Sequence, residues 1–218
     1  MEQKRFAIIL AGAGVKDGSE LHEAVNLLTA LSRAGAAYQC YAPDMEQHDV
    51  VDHLTGESMP ERRSVLREAA RIARGNIKPL SEYRADDYSG LFIPGGFGAA
   101  KNLCTYAFAG ENFTVNADVE RAILDTHAQR KPIGALCIAP IILAKLLKGV
   151  RITLGPAGGA SDDAARLGAA VQPTGSSEVM VDEGNCVFTT PCYMHDAPLA
   201  LVADGIYKLV DAVMSHVK

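Results

Sequence analysis

Cys137 stands in Gly134-Ala135-Leu136-Cys137-Ile138-Ala139-Pro140, where an apolar, strand-like run gives way to a helix. A nucleophile at such a turn stands clear of its own backbone while the first free N–H groups of the helix point at it. That arrangement stabilises a thiolate and prepares a site for an oxyanion. The local residues fit two readings, a catalytic nucleophile with a depressed pKa or a buried cysteine packed as a small hydrophobe. A second candidate is Pro94-Gly95-Gly96-Phe97-Gly98-Ala99-Ala100. Paired glycines leave backbone N–H groups unobstructed, which suits an oxyanion hole opposite a nucleophile. Neither this loop nor Gly12-Ala13-Gly14 is a nucleotide fingerprint, because both lack G-x-G-x-x-G and Lys16 and Lys101 fall at the wrong offsets for a phosphate loop.

Glu20 is the third candidate. Asp17-Gly18-Ser19-Glu20 has capping-box spacing, so Glu20 reads as a helix-start charge favoured by the macrodipole, as does its neighbour Glu23. Glu20 acquires a chemical role as well if the fold sets it beside Cys137, partly buried and able to keep or donate a proton.

These residues need a scaffold. Residues 6–10 form a continuous apolar run, read as a buried strand leading through a glycine turn into a helix that begins near Ser19. Strands are expected at 37–42, 90–93, 132–136 and 151–154, with helices at 61–74, 119–130, 138–148 and 199–217. Residues 43–60 read as an insertion loop, and 178–181 with 186–190 as a hairpin. Repeated strand-then-helix units imply a doubly wound, mostly parallel sheet with helices on both faces, whose active-site groups gather at the carboxyl ends of the strands. The loop after the first strand, the Pro-Gly-Gly loop and the Cys137 turn all fall there.

At 218 residues with 48% hydrophobic content, the chain suffices for one domain with one sizeable core. A net charge of -5 with no basic block offers no general attraction to nucleic acid or to an anionic membrane surface. The first apolar run is too short for a signal-peptide core, and no stretch approaches the roughly 20 residues that span a bilayer. Cys40, Cys104, Cys137, Cys186 and Cys192 are odd in number and scattered, which argues against a disulfide framework and fits a reducing cytoplasm. His22, His48, His53, His127, His195 and His216 lack the spacing of paired metal ligands, so neither metal nor cofactor is expected.

Five ordered segments carry a resemblance. They are residues 13–24 (Ala-Gly-Val-Lys-Asp-Gly-Ser-Glu-Leu-His-Glu-Ala), Ala42-Pro43-Asp44, residues 92–103 around Pro94-Gly95-Gly96, Cys137-Ile138-Ala139-Pro140, and Thr189-Thr190-Pro191-Cys192-Tyr193-Met194. Together they closely resemble the ElbB subgroup of the ThiJ/PfpI superfamily, the enhancing lycopene biosynthesis proteins regarded as glyoxalases. The resemblance covers nearly the whole chain, 1–218, as a single domain, and is weakest over 155–177. It implies the class I glutamine amidotransferase-like, flavodoxin-like sandwich, with Cys137 as nucleophile, Glu20 as the acid that hydrogen-bonds it, and the Gly96 and Ile138 N–H groups as oxyanion donors. Many superfamily members carry a histidine directly after the cysteine or after the strand at 151–154, where this chain has Ile138 and Gly155. His195 is then either the substitute or a solvated loop residue.

The activity implied is that of a cofactor-free glyoxalase, a glutathione-independent lyase of hydro-lyase type. It would convert a small dicarbonyl, glyoxal or methylglyoxal, to glycolate or lactate through a cysteine hemithioacetal. Two alternatives are a redox-sensing or metabolite-binding protein built on an oxidisable cysteine, and an amidotransferase-like hydrolase. The resemblance also implies a cytoplasmic homodimer and, through the subgroup's name, a link to isoprenoid biosynthesis.

Overall fold

The first strand, β1 (Arg5–Ile9), shows why its residues read as an unbroken apolar run. Ala7 and Ile9 enter one core while Phe6, Ile8 and Leu10 enter another, so both faces of the strand are covered. The computed structural model describes residues 3–217. After β1 come α1 (Leu21–Arg33), β2 (Ala37–Ala42), α2 (Val65–Ile72), β3 (Ile77–Pro79), β4 (Gly90–Ile93), α3 (Phe97–Lys101), α4 (Tyr106–Ala109), α5 (Ala117–Ala128) and β5 (Ile133–Leu136). The rest comprises α6 (Pro140–Leu146), β6 (Arg151–Ile152), α7 (Ala160–Arg166), β7 (Ala170–Val171), β8 (Met180–Asp182), β9 (Val187–Thr190) and α8 (Leu199–His216).

Among the described residues seven strands form one sheet in the order β3-β2-β1-β4-β5-β9-β8, parallel throughout except for β8, which closes an antiparallel hairpin with β9. The expected doubly wound class is what is found. Leu27 and Leu31 of α1 pack with Ile206, Leu209 and Val213 of α8 on one face, while Ile123 of α5 and Ile142 of α6 cover the other. The register sets Ile93 beside Ala135 and Leu136 beside Thr190, so the exits of β4, β5 and β9 lie side by side next to that of β1.

Three expectations need correction. The first helix begins at Leu21, not near Ser19, with Glu20 as N-cap accepting from Glu23 N–H at 2.7 Å. Ser19 and Asp17 are engaged elsewhere: Ser19 Oγ accepts from Ala11 N–H at 2.8 Å, and Asp17 Oδ2 from Val51 N–H, also at 2.8 Å. The helix expected at 61–74 is confined to α2, which starts after the Ser64 cap. Finally, β6 does not join the main sheet but pairs with β7 in a two-stranded ribbon. Side chains tie that ribbon to the hairpin: Arg151 N–H donates to Asp182 Oδ2 at 2.7 Å and Thr153 N–H to Thr189 Oγ1 at 2.9 Å.

Candidate active site

Cys137 occupies the turn between β5 and α6 with φ at +57°, a left-handed conformation that costs energy for any residue with a Cβ. Its N–H donates to Thr190 O at 2.9 Å, which anchors the turn to the neighbouring strand. The residue is 8% exposed. Because α6 starts only at Pro140, the N–H that meets the sulfur from this side is that of Ile138. The Gly96 N–H faces the sulfur from the opposite loop. Both hydrogen bonds favour the thiolate, yet burial and the charge of Glu23 outweigh them and push the thiol well above its ordinary pKa. The expected depressed pKa is therefore not found.

The glycines are required by close approach. A Cβ on Gly95 would stand 2.5 Å from Cys137 Cβ and 2.8 Å from Glu23 Oε2. One on Gly96, whose φ is +95°, would stand 2.4 Å from both Glu20 N and Gly18 O. Glu20 N–H donates to Gly95 O at 3.0 Å and Phe97 N–H to Val15 O at 2.7 Å, which fastens the first loop across the Pro-Gly-Gly loop.

The acid that faces the thiol is Glu23, not Glu20. Glu23 is fully buried, and its Oε2 accepts from Gly95 N–H at 2.8 Å. Its Oε1 has no conventional hydrogen-bond partner, and the Cys137 thiol and Tyr193 N–H are the donors beside the carboxyl. Burial, reinforced by the nearby Glu20, pushes the Glu23 pKa up to about 8. Glu23 lies on the buried stripe of α1 with Ala24, Leu27, Ala30 and Leu31. A carboxylate in phase with an apolar face was the signal that could have singled it out.

Glu20 instead lines a cavity of about 340 Å³ together with Gly96, Cys137 and Ile138. Four of the expected site residues thus meet at one opening. Val15, Phe97, Ala100, Tyr106 and Met194 supply apolar wall, and Tyr193, also at the cavity, shares a 2.8 Å hydrogen bond with His22 Nδ1. His195 is not brought to this opening. Its Nε2–H donates to Thr174 O at 2.7 Å, and the ring lies 3.2 Å from where a Cβ on Gly155 would stand. Among the described residues, no group of three or more His, Cys, Asp or Glu is placed to hold a metal ion.

No family model matches the chain. It is 44% identical over 220 residues to the ES1 protein homolog, mitochondrial, of Rattus norvegicus, covering 96% of this chain and 83% of that protein. The human glutamine amidotransferase-like class 1 domain-containing protein 3, mitochondrial, is also 44% identical, covering 96% of this chain and 82% of that protein. The chain belongs to the ES1 family of glutamine amidotransferase-like class 1 domain proteins. A solved isoprenoid biosynthesis protein with amidotransferase-like domain from Ehrlichia chaffeensis superposes on this ES1-family chain with a TM-score of 0.93 and 33% identity, covering 99% of this chain and 100% of that one. A DJ-1 superfamily protein from Salmonella typhimurium shares the fold, with a TM-score of 0.62 at 20% identity over 98% of this chain and 91% of that one. The mitochondrial names of the relatives do not fit a strictly cytoplasmic placement. Among the described residues, no helix is long and apolar enough to cross a membrane.

Proposed function

We propose that this ES1-family chain is a glutathione-independent glyoxalase of the ElbB type, acting on glyoxal or methylglyoxal. The observation that carries this reading is that the Cys137 thiol, met by the Gly96 and Ile138 N–H groups, opens on the same cavity as the Glu20 carboxyl. The thiol adds across the aldehyde C=O, sulfur bonding to carbon and the thiol proton ending on oxygen. The two N–H groups stabilise the negative charge that develops on that oxygen. Glu20 then takes the hydrogen of the same carbon as a proton and returns one to the adjacent carbon through an enediol. The first carbon is thereby oxidised to a thioester and the second reduced to an alcohol. Water cleaves the thioester, releasing glycolate or lactate and restoring the thiol.

Glu23 acts through Cys137. With a pKa raised to about 8, its carboxyl holds a proton at neutral pH and faces the sulfur without adding a second negative charge. A glutamine-hydrolysing reading is weaker, because Ile138 and Gly155 take the places of a histidine and His195 is committed to Thr174 O.

The test is turnover of glyoxal in the absence of glutathione, followed as glycolate formation. Cys137→Ser should abolish it, and Glu20→Gln should lower it by about 10²-fold or more. Full turnover by Glu20→Gln overturns the role given to Glu20, and no turnover by the unmodified chain overturns the glyoxalase reading.

A further inference from the structure

The cavity beside Cys137 is far larger than the smallest dicarbonyl requires. At about 340 Å³ it falls in the range of pockets that enclose ligands with a full ring or a branched chain, roughly 300–1,000 Å³. Glyoxal has only two carbons and two oxygens. The walls are apolar and come from separate elements: Val15 from the first loop, Phe97 and Ala100 from α3, Tyr106 from α4, Ile138 from the nucleophile turn and Met194 from the loop after β9. Among the described residues no lysine, arginine or histidine lines the space, and the charged side chain that does is the Glu20 carboxyl. An anionic substrate would meet no counter-charge there and one like charge.

Phe97 adds a second observation. It is 56% exposed although it borders the cavity, and it directly follows Gly96, whose N–H faces the Cys137 sulfur. An aromatic ring held half in water at the mouth of an apolar pocket gains by contact with an apolar group on the ligand. The reacting carbonyl, held by Gly96 and Ile138, would then have its substituent directed along Phe97.

Resting on the glyoxalase reading, we infer that the substrate matched to this site is an uncharged 1,2-dicarbonyl bearing an aromatic or branched apolar substituent. The chemistry is unchanged. For phenylglyoxal, Cys137 adds to the aldehyde carbon, the hydrogen of that carbon moves to the ketone carbon, and water releases mandelate and the free thiol. One carbon is oxidised and its neighbour reduced, so no external oxidant or reductant takes part.

The experiment compares glyoxal, methylglyoxal and phenylglyoxal by product formation without glutathione, alongside protection of Cys137 from iodoacetamide by benzyl alcohol or by ethylene glycol. Phenylglyoxal should show a kcat/KM at least about 10-fold above methylglyoxal, the discrimination that an apolar pocket provides for an added apolar group. Ala107→Phe, on the cavity wall in α4, should lower phenylglyoxal turnover about 10-fold more than glyoxal turnover. Turnover with glyoxal or methylglyoxal preferred overturns the inference and leaves the glyoxalase reading standing. If no dicarbonyl is turned over, the glyoxalase reading fails and protection decides the specificity: benzyl alcohol shielding Cys137 better than ethylene glycol supports an apolar site, and equal or absent shielding overturns it.

Discussion

The Glu23 carboxyl and the Cys137 thiol lie side by side beneath Gly95, a position where a Cβ would collide with both residues. Neither group can ionise without affecting the other, so their protons come off as those of a coupled pair.

Replacing Glu23 by Gln keeps the shape and removes the carboxyl whose ionisation, above about pH 8, opposes loss of the thiol proton. The alkylation profile of Cys137 with iodoacetamide should move to lower pH, by about one unit or more. An unchanged or upward-shifted profile would contradict the coupling.

The same carboxyl makes stability depend on pH. The Glu23 pKa is 4.5 when solvated and about 8 in the folded chain, so between these values the native state holds a proton that the unfolded chain has released. Stability from this group is fully present below about pH 4.5 and is lost as pH rises through about 8. The stability of the unmodified chain relative to Glu23→Gln, followed by thermal melting, should fall across that window by an amount on the order of a few kcal/mol. Parallel melting curves for the two proteins from pH 5 to 8 would show that Glu23 keeps its solvated pKa.

Gly95→Ala tests the packing. With Cys137 Cβ at 2.5 Å and Glu23 Oε2 at 2.8 Å from the added methyl, neighbouring backbone must shift. Overpacking of this kind costs about 1–3 kcal/mol, which lowers Tm by roughly 2–4 °C per kcal/mol in a chain of this size. An unaltered Tm with an unaltered Cys137 profile would mean that the loop yields freely.

His195→Ala should leave the Cys137 alkylation profile and glyoxal turnover unchanged, because the imidazole is bound to Thr174 O and does not border the cavity. A parallel loss in both measurements would identify His195 as the missing base.

Leu21 and Val25 lie one turn apart on the outer side of α1, 45% and 50% exposed, and Leu199 and Leu201 of α8 add further exposed apolar surface. A homodimer packed over α1 would bury them, which makes the oligomeric state a prediction. Light scattering should give twice 23.1 kDa, and Val25→Asp should return the single-chain mass. A monomeric mass for the unmodified chain would refute the dimer.

The parallel sheet was legible because strands covered on both faces, such as β1 and β4, appear as unbroken apolar runs. The nucleophile turn was legible for a related reason, since Cys137 interrupts such a run just before a proline that can start a helix. Glu23 reads as a helix-start charge, since an acid in the first turn is favoured there on its own, and only its phase with Ala24, Leu27 and Leu31 sets it apart. The β6–β7 ribbon escaped because it is held by Asp182 and Thr189, side chains distant in sequence from the backbone they bind. The cavity was equally hidden, since Val15, Phe97, Tyr106 and Met194 meet only once four separate segments have come together.

The hydrogen bond from Cys137 N–H to Thr190 O spans more than fifty residues of chain and joins the nucleophile turn to a strand that leaves the ribosome late. During synthesis β1, β4 and β5 emerge before β9, so the turn lacks its anchor until Thr190 has been made. A nascent chain stalled before Thr190 would present Cys137 to solvent and to cellular oxidants, next to an unpaired strand edge. Anchoring of the nucleophile turn thus waits on β9, and Cys137 should be alkylated faster in a chain cut before Thr190 than in the chain that carries β9.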